Sequence, residues 1–178
     1  MLVLAIGLVS IYSCKDDSNN SNDTASFQVN MSNTVTANRV YSAVNIDLLK
    51  VSINVSADTN TTSGWVDLPT NQGIYNLMEF TAGNDTILAF DSVLVVQTIS
   101  QIRLLLGPDN TVVEDGVSYE LKTPSGQTSG LKIPLNVTLQ PGAAYMVVLD
   151  FDPYQSVVKT GNGKYNLKPV IQATVVPI

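Results

Sequence analysis

Histidine is absent from this 178-residue sequence. That removes the commonest general base, the serine–histidine–aspartate type of triad and the usual zinc ligand. Cysteine occurs once, so neither an internal disulfide nor a thiolate metal cluster can form. Charged residues make up only 13% of the chain, fewer than the faces of a helical bundle carry. Basic residues are outnumbered, 9 against 15 acidic, for a net charge of −6. Such a chain repels phosphate backbones, so nucleic acid is not an expected partner. What is present is apolar: 44% hydrophobic residues, enough for one domain with its own core rather than disorder.

The longest apolar run, Leu2 to Ile11, has ten residues. A membrane-spanning helix needs about 20, whereas a signal-peptide core needs about 7–15. The run closes on Ile11-Tyr12-Ser13-Cys14, which resembles the lipobox of bacterial lipoproteins. The resemblance implies that Cys14 receives a diacylglycerol and anchors the chain to a membrane without a spanning helix. Lys15 to Ser26 (KDDSNNSNDTAS) is polar and aperiodic and reads as a disordered tether. Its opening, Lys15-Asp16-Asp17, is similar to the acidic export signal of surface lipoproteins in one Gram-negative phylum. Residues 1–13 therefore read as a lipoprotein signal peptide and 14–26 as lipidated Cys14 with its tether. The expected location is the outer membrane or cell surface.

From Phe27 to Ile178 the pattern changes to short alternating runs, such as Val44-Asn45-Ile46-Asp47-Leu48 and Val51-Ser52-Ile53-Asn54-Val55. Period two marks half-buried strands. Further strands are expected at Ile87–Phe90, Val93–Thr98, Gln101–Leu106, Tyr119–Lys122, Ile133–Leu139, Tyr145–Phe151 and Lys168–Val176. Turn chemistry separates them at Gly107-Pro108-Asp109-Asn110, Glu114-Asp115-Gly116, Pro141-Gly142 and Gly161-Asn162-Gly163. Asn76 to Phe80 has room for one helical turn. The expectation is a single all-β domain, an antiparallel β-sandwich with Greek-key connections.

Several segments together resemble the bacterial family catalogued as domain of unknown function 4382. They are Val44-Asn45-Ile46-Asp47, Gly64-Trp65, Tyr75-Asn76-Leu77, Gln101-Ile102-Arg103-Leu104, the run Leu121 to Lys132 (LKTPSGQTSGLK), Asp150-Phe151-Asp152 and Tyr165 to Val170. The likeness spans about residues 27 to 176. It implies an extracytoplasmic sandwich of transthyretin-like or carbohydrate-binding-like type, often on a lipoprotein. It supplies no activity and hence no catalytic residue.

Asp150 and Asp152 end an apolar run, and period two would put both carboxylates on one face, about 7 Å apart at the α-carbons. They could bind Ca²⁺, act as an acid–base pair, or cap a loop by accepting backbone N–H bonds. The stretch Thr123 to Gly130 reads either as a binding loop, with Ser125, Gln127 and Ser129 offered to a ligand, or as a structured crossover. Trp65, the one tryptophan, with Tyr75, Tyr119 and Tyr154 could stack sugar rings, although a lone Trp in a sandwich is more often core. Arg103 sits within an apolar run and wants a carboxylate, with Asp150 or Asp47 the candidates. Ser125 and Ser156 lack an activating base. Asp23-Thr24-Ala25, Asp85-Thr86-Ile87 and Asp91-Ser92-Val93 look like short O-glycosylation acceptors.

Together these point to a lipid-anchored, non-enzymatic binding module with no cofactor unless Ca²⁺ sits at the Asp pair. Carbohydrate is the leading ligand class. The alternative is a structural or assembly part of an adhesin or envelope complex.

Overall fold

The computed structural model describes residues 23–33, 40–56, 63–80, 84–95 and 97–178. The expected signal peptide, Cys14 and most of the expected tether lie outside the described residues. Two sheets face each other. One has the order β13-β10-β1-β5, built from Ile171–Pro177, Ala144–Phe151, Thr24–Ser32 and Thr86–Val95. The other runs β11-β12-β8-β7-β2-β6-β9, from Val157–Lys159, Tyr165–Leu167, Val117–Lys122, Thr111–Glu114, Tyr41–Asn54, Thr98–Leu106 and Leu131–Thr138. Strands β3 (Trp65–Asp67) and β4 (Gly73–Asn76) also pair with β2. The all-β sandwich expected from the alternation is the fold. Its sheets are mixed, because β1 runs parallel to β10 and β12 parallel to β8.

The core lies between the sheets. Phe27, Val29 and Met31 of β1 and Val147, Leu149 and Phe151 of β10 are wholly buried, against Ile46, Leu48, Ile53, Ile102 and Leu104 of the second sheet. Each such side chain removed from water contributes about 1.5–3 kcal/mol.

Strand β2 explains the two alternating runs read from the sequence. Val44, Ile46 and Leu48 are buried, and then Val51 and Ile53. The inward parity switches because Leu48 pairs with Leu106 while Lys50 pairs with Leu105. Leu49 is the extra residue of a β-bulge, 38% exposed. One residue too many on one strand swaps which side chains face in. The bulge keeps Val51 and Ile53 in the core and sends Ser52 and Asn54 to the outer face.

The turn residues at Gly107–Asn110 interrupt a strand without reversing it. Strand β6 pairs with β2 from Asn54 back to Leu48, and β7 continues along the same edge from Asn45 to Tyr41. The excursion is pinned at its base. Gly107 N–H donates to Asp47 O (2.8 Å), Asp47 N–H to Asn110 Oδ1 (2.9 Å), and Asn110 Nδ2 to Gly107 O (2.6 Å). A Cβ on Gly107 would sit 2.6 Å from Asp47 Cγ, so any larger residue must displace the Asp47 carboxylate.

Three boundaries differ from the sequence expectation. Strand β1 opens at Thr24, so Thr24 to Ser26 belong to the sheet and not to the tether. Backbone pairing wins over their polar composition: Ala25 is buried beside Leu94, and Ser26 N–H donates to Ala143 O. Val93–Thr98 is not one strand, because β5 ends at Val95 and β6 opens at Thr98 in the opposite sheet. Residues 123–130 are not all loop. Pro124–Thr128 forms a one-turn helix, α1, with Gln127 N–H on Thr123 O (3.1 Å). Proline at the first position already holds the helical φ, and Gly130 at φ +75° ends the turn.

Candidate functional site

Strands β8 and β12 touch through two residue pairs, Leu121 with Tyr165 and Lys122 with Asn166. Beyond that short contact they diverge, and α1 closes one side. A groove of about 490 Å³ results, lined by Glu120, Lys122, Thr123, Gln127, Asn166, Leu167 and Lys168. A smaller hollow of about 190 Å³ shares Glu120 and Lys122 and adds Tyr119, Gly163, Lys164 and Tyr165. The two hollows adjoin along β8, where they share Glu120 and Lys122.

Each wall is fixed from behind. Thr123 is buried and its hydroxyl accepts from Asn110 Nδ2 (3.2 Å), which ties α1 to the Gly107–Asn110 excursion. The opposite wall hangs on the short helix α2 (Pro153–Ser156). Ser156 O accepts from Lys168 N–H (2.8 Å) and Ser156 Oγ from Val170 N–H (2.7 Å). Ser156 is thus a buried brace rather than an exposed nucleophile.

Tyr165 forms the floor of the smaller hollow. Its hydroxyl donates to Glu114 Oε2 (2.6 Å), and Lys159 forms an ion pair with the same oxygen. Lys159 Nζ also lies 5.3 Å from the Tyr165 ring centroid. The hydrogen bonds from Lys159 and Tyr165 hold the Glu114 carboxyl below its ordinary pKa. The bond to Glu114 raises the Lys159 pKa above its ordinary value, and burial raises the Tyr165 phenol. Four tyrosines run through this end of the molecule. Tyr154 stacks on Tyr41 (6.5 Å), Tyr41 meets Tyr165 edge-on (6.5 Å), and Tyr165 leans on Tyr119 (5.0 Å).

The residues expected to bind are therefore divided. Gln127 lines the groove, Ser129 is exposed just past α1, and Ser125 lies in α1. Tyr119 and Tyr154 belong to the tyrosine cluster, whereas Tyr75 packs against Phe80 elsewhere. Trp65 joins none of them. It lies half-buried on the outer face of the second sheet, with Arg103 Cζ 4.2 Å from the ring centroid and Lys132 Nζ at 5.8 Å. It is neither core nor an open platform, because a guanidinium occupies a ring face.

Arg103 is not paired with Asp150 or Asp47. Besides Trp65 it reaches Ser52 Oγ (3.3 Å), which donates to Asp67 Oδ1 (2.7 Å). Asp67 also takes Lys50 Nζ (2.7 Å), and these two hydrogen bonds hold its pKa down. The bulge in β2 explains the change of partner, since Ser52 faces outward beside Arg103 only after Leu49 has shifted the parity. Gly130 packs on the stem of Arg103, where a Cβ would come within 2.5 Å of its Cγ.

Asp150 and Asp152 sit in different settings. Asp152 caps α2: its Oδ1 accepts from Tyr154 N–H and Gln155 N–H (3.0 Å each), and its Oδ2 from Gln155 Nε2 (2.6 Å). Asp150 stays in β10 between Ser32 and Gln172, with contacts of its own. Among the described residues no three His, Cys, Asp or Glu side chains gather where they could hold a metal ion. Of the O-glycosylation triplets, Thr24 and Thr86 are half-buried within strands, and Ser92 is exposed on β5.

The sequence reading missed Lys122, Lys168, Asn166 and Glu120 as site residues. A local signal did exist, in three lysines within ten residues, Lys159, Lys164 and Lys168, of an acidic chain.

The model of the family described as domain of unknown function (DUF4382) matches residues 24–169. The chain belongs to the DUF4382 family. The match opens at the first residue of β1 and closes just past the groove wall at Lys168. No curated protein and no solved structure matches the chain at a significant level.

Proposed function

We propose that this DUF4382 domain is an extracytoplasmic binding module without catalytic activity, anchored through a lipid on Cys14, and that its ligand is carbohydrate. The observation that carries the reading is the groove along β8. It combines the amides of Gln127 and Asn166 with an aromatic ring at Tyr119 and flexible cations at its rim. Sugars are recognised by that mixture of planar hydrogen-bonding groups and aromatic faces. Hydrolysis of a glycosidic bond needs two carboxyl groups flanking it. Glu120 is the one carboxylate in the lining, and histidine is absent from the sequence. A glycan array probed with the purified chain tests the ligand class, and silence across it would sink the reading. Membrane fractionation of a Cys14→Ser variant tests the anchor, which requires the variant to leave the membrane pellet.

One feature favours an assembly role instead. Strand β5 ends the first sheet and exposes Ile87, Phe90 and Val95 at 42%, 46% and 62%. Residues Pro69–Asn71 cover part of its edge, with Phe90 N–H donating to Pro69 O (3.2 Å) and Asn71 N–H to Leu88 O (2.8 Å). Beyond Phe90, no strand among the described residues pairs with that edge. An open apolar edge is a template for another strand. Concentration-dependent sedimentation that disappears on Phe90→Lys would support assembly over a monomeric binder.

A further inference from the structure

We infer that the groove along β8 selects anionic glycans, sugar chains bearing carboxylate groups, over neutral ones. The inference rests on the carbohydrate reading above and narrows its ligand. Lys122, Lys164 and Lys168 line the two hollows and are exposed. Glu120 is the one acidic residue of the two linings, so three positive charges less one negative give +2. The whole chain carries −6. Charge of the minority sign is thus gathered around the two adjoining hollows.

The pairing pattern sharpens the point. Among the described residues two lysines form ion pairs, Lys50 with Asp67 and Lys159 with Glu114. Both sit outside the groove lining. Among the described residues no carboxylate lies within ion-pair distance of Lys122, Lys164 or Lys168. An acidic protein offers many partners, so three unpaired cations around these hollows leave their charge for a ligand. A concave site focuses that field, and each ammonium can donate a charge-assisted hydrogen bond to a carboxylate oxygen. The two walls also lie within two of the segments on which the family resemblance rests, Leu121–Lys132 and Tyr165–Val170. Gln127, Asn166 and Tyr119 supply the contacts that separate a sugar from a bare polyanion.

Calorimetric titration of the purified full-length chain tests this with three probes: oligogalacturonate, a neutral galactose oligomer of equal length, and a single-stranded oligonucleotide of equal charge. The expected result is binding of oligogalacturonate alone, weakened at least about tenfold by Lys122→Gln together with Lys168→Gln and by raised salt. Both lysines are exposed, and circular dichroism checks that the double variant is folded. Equal binding of the neutral oligomer, unmoved by the double variant, would overturn the charge selection while leaving a glycan binder. Binding of the oligonucleotide as tightly as oligogalacturonate would overturn it too, because the groove would then read charge and not sugar. Silence with all three probes, and with a glycan array, would overturn the carbohydrate reading itself.

Discussion

Replacing Asp152 separates a structural carboxylate from a calcium ligand. Its Oδ1 accepts two backbone N–H bonds of 3.0 Å at the start of α2, and its Oδ2 one exposed bond from the Gln155 side chain. Loss of an N-cap acceptor costs about 0.5–2 kcal/mol, typically about 1. Asp152→Ala is therefore expected to lose about 1 kcal/mol, which for a domain of this size lowers the thermal midpoint by about 2–4 °C. Asp152→Asn keeps an oxygen for both backbone donors and gives up only the contact with Gln155, so it should lose less than half as much. Calcium in excess should leave every midpoint where chelator leaves it. A true site would behave otherwise: at a hundredfold excess over its dissociation constant the ion would add about 2.7 kcal/mol to the wild type. Urea and thermal unfolding of the three proteins, with calcium and with chelator, decide the matter. The capping argument is refuted if Asn is as costly as Ala and the wild-type midpoint climbs with calcium.

Glu114 sets an acid response. Its folded pKa lies below the ordinary 4.5, so its contribution is complete above that value and is lost as pH falls through the lowered one. Thermal midpoints measured through the acid range should fall more steeply for the wild type than for Glu114→Gln, and parallel curves would contradict the coupling. Gly107→Ala forces Asp47 off the excursion and should cost about 1–3 kcal/mol in urea unfolding, with Asp47→Ala in the same chain recovering part of it. Trp65→Ala uncovers Arg103 and should cost about 1–3 kcal/mol. Because Trp65 is the one tryptophan and lies outside the groove, its emission should not shift when a glycan binds. A shift would return it to the candidate binding surface.

The fold was legible wherever one residue's environment repeats two positions on. Val44, Ile46 and Leu48, and then Val51 and Ile53, announce burial on one side. Their change of phase also contains the bulge, but only the partner strand shows that a single strand carries both runs. Gly107 to Asn110 did mark the break between β6 and β7, but turn residues report a local bend and say nothing of direction afterwards. The parallel pairing of β1 with β10 has no local signature at all, since both strands alternate as antiparallel ones do. The site was half legible. Gln127 was singled out from its stretch, yet its meeting with Lys122, Asn166 and Lys168 depends on two pairs of residues joining distant segments. Of the readings open for Asp150 and Asp152, the capping one is seen at Asp152, where the helix begins at Pro153. The Trp65 platform was a reading of residue type alone, and a guanidinium lies on that ring.

The place of β1 has a mechanical side. It is an inner strand, bonded along both edges to β5 and β10, and of the strands it follows Cys14 most closely in sequence. If a membrane holds that cysteine while a bound polymer drags on the groove, tension enters along the axis of β1. Bonds on both its flanks are then loaded in shear and must rupture together, whereas an edge strand would unzip one rung at a time. The domain should therefore withstand a tug from its tethered end far longer than one applied through β13.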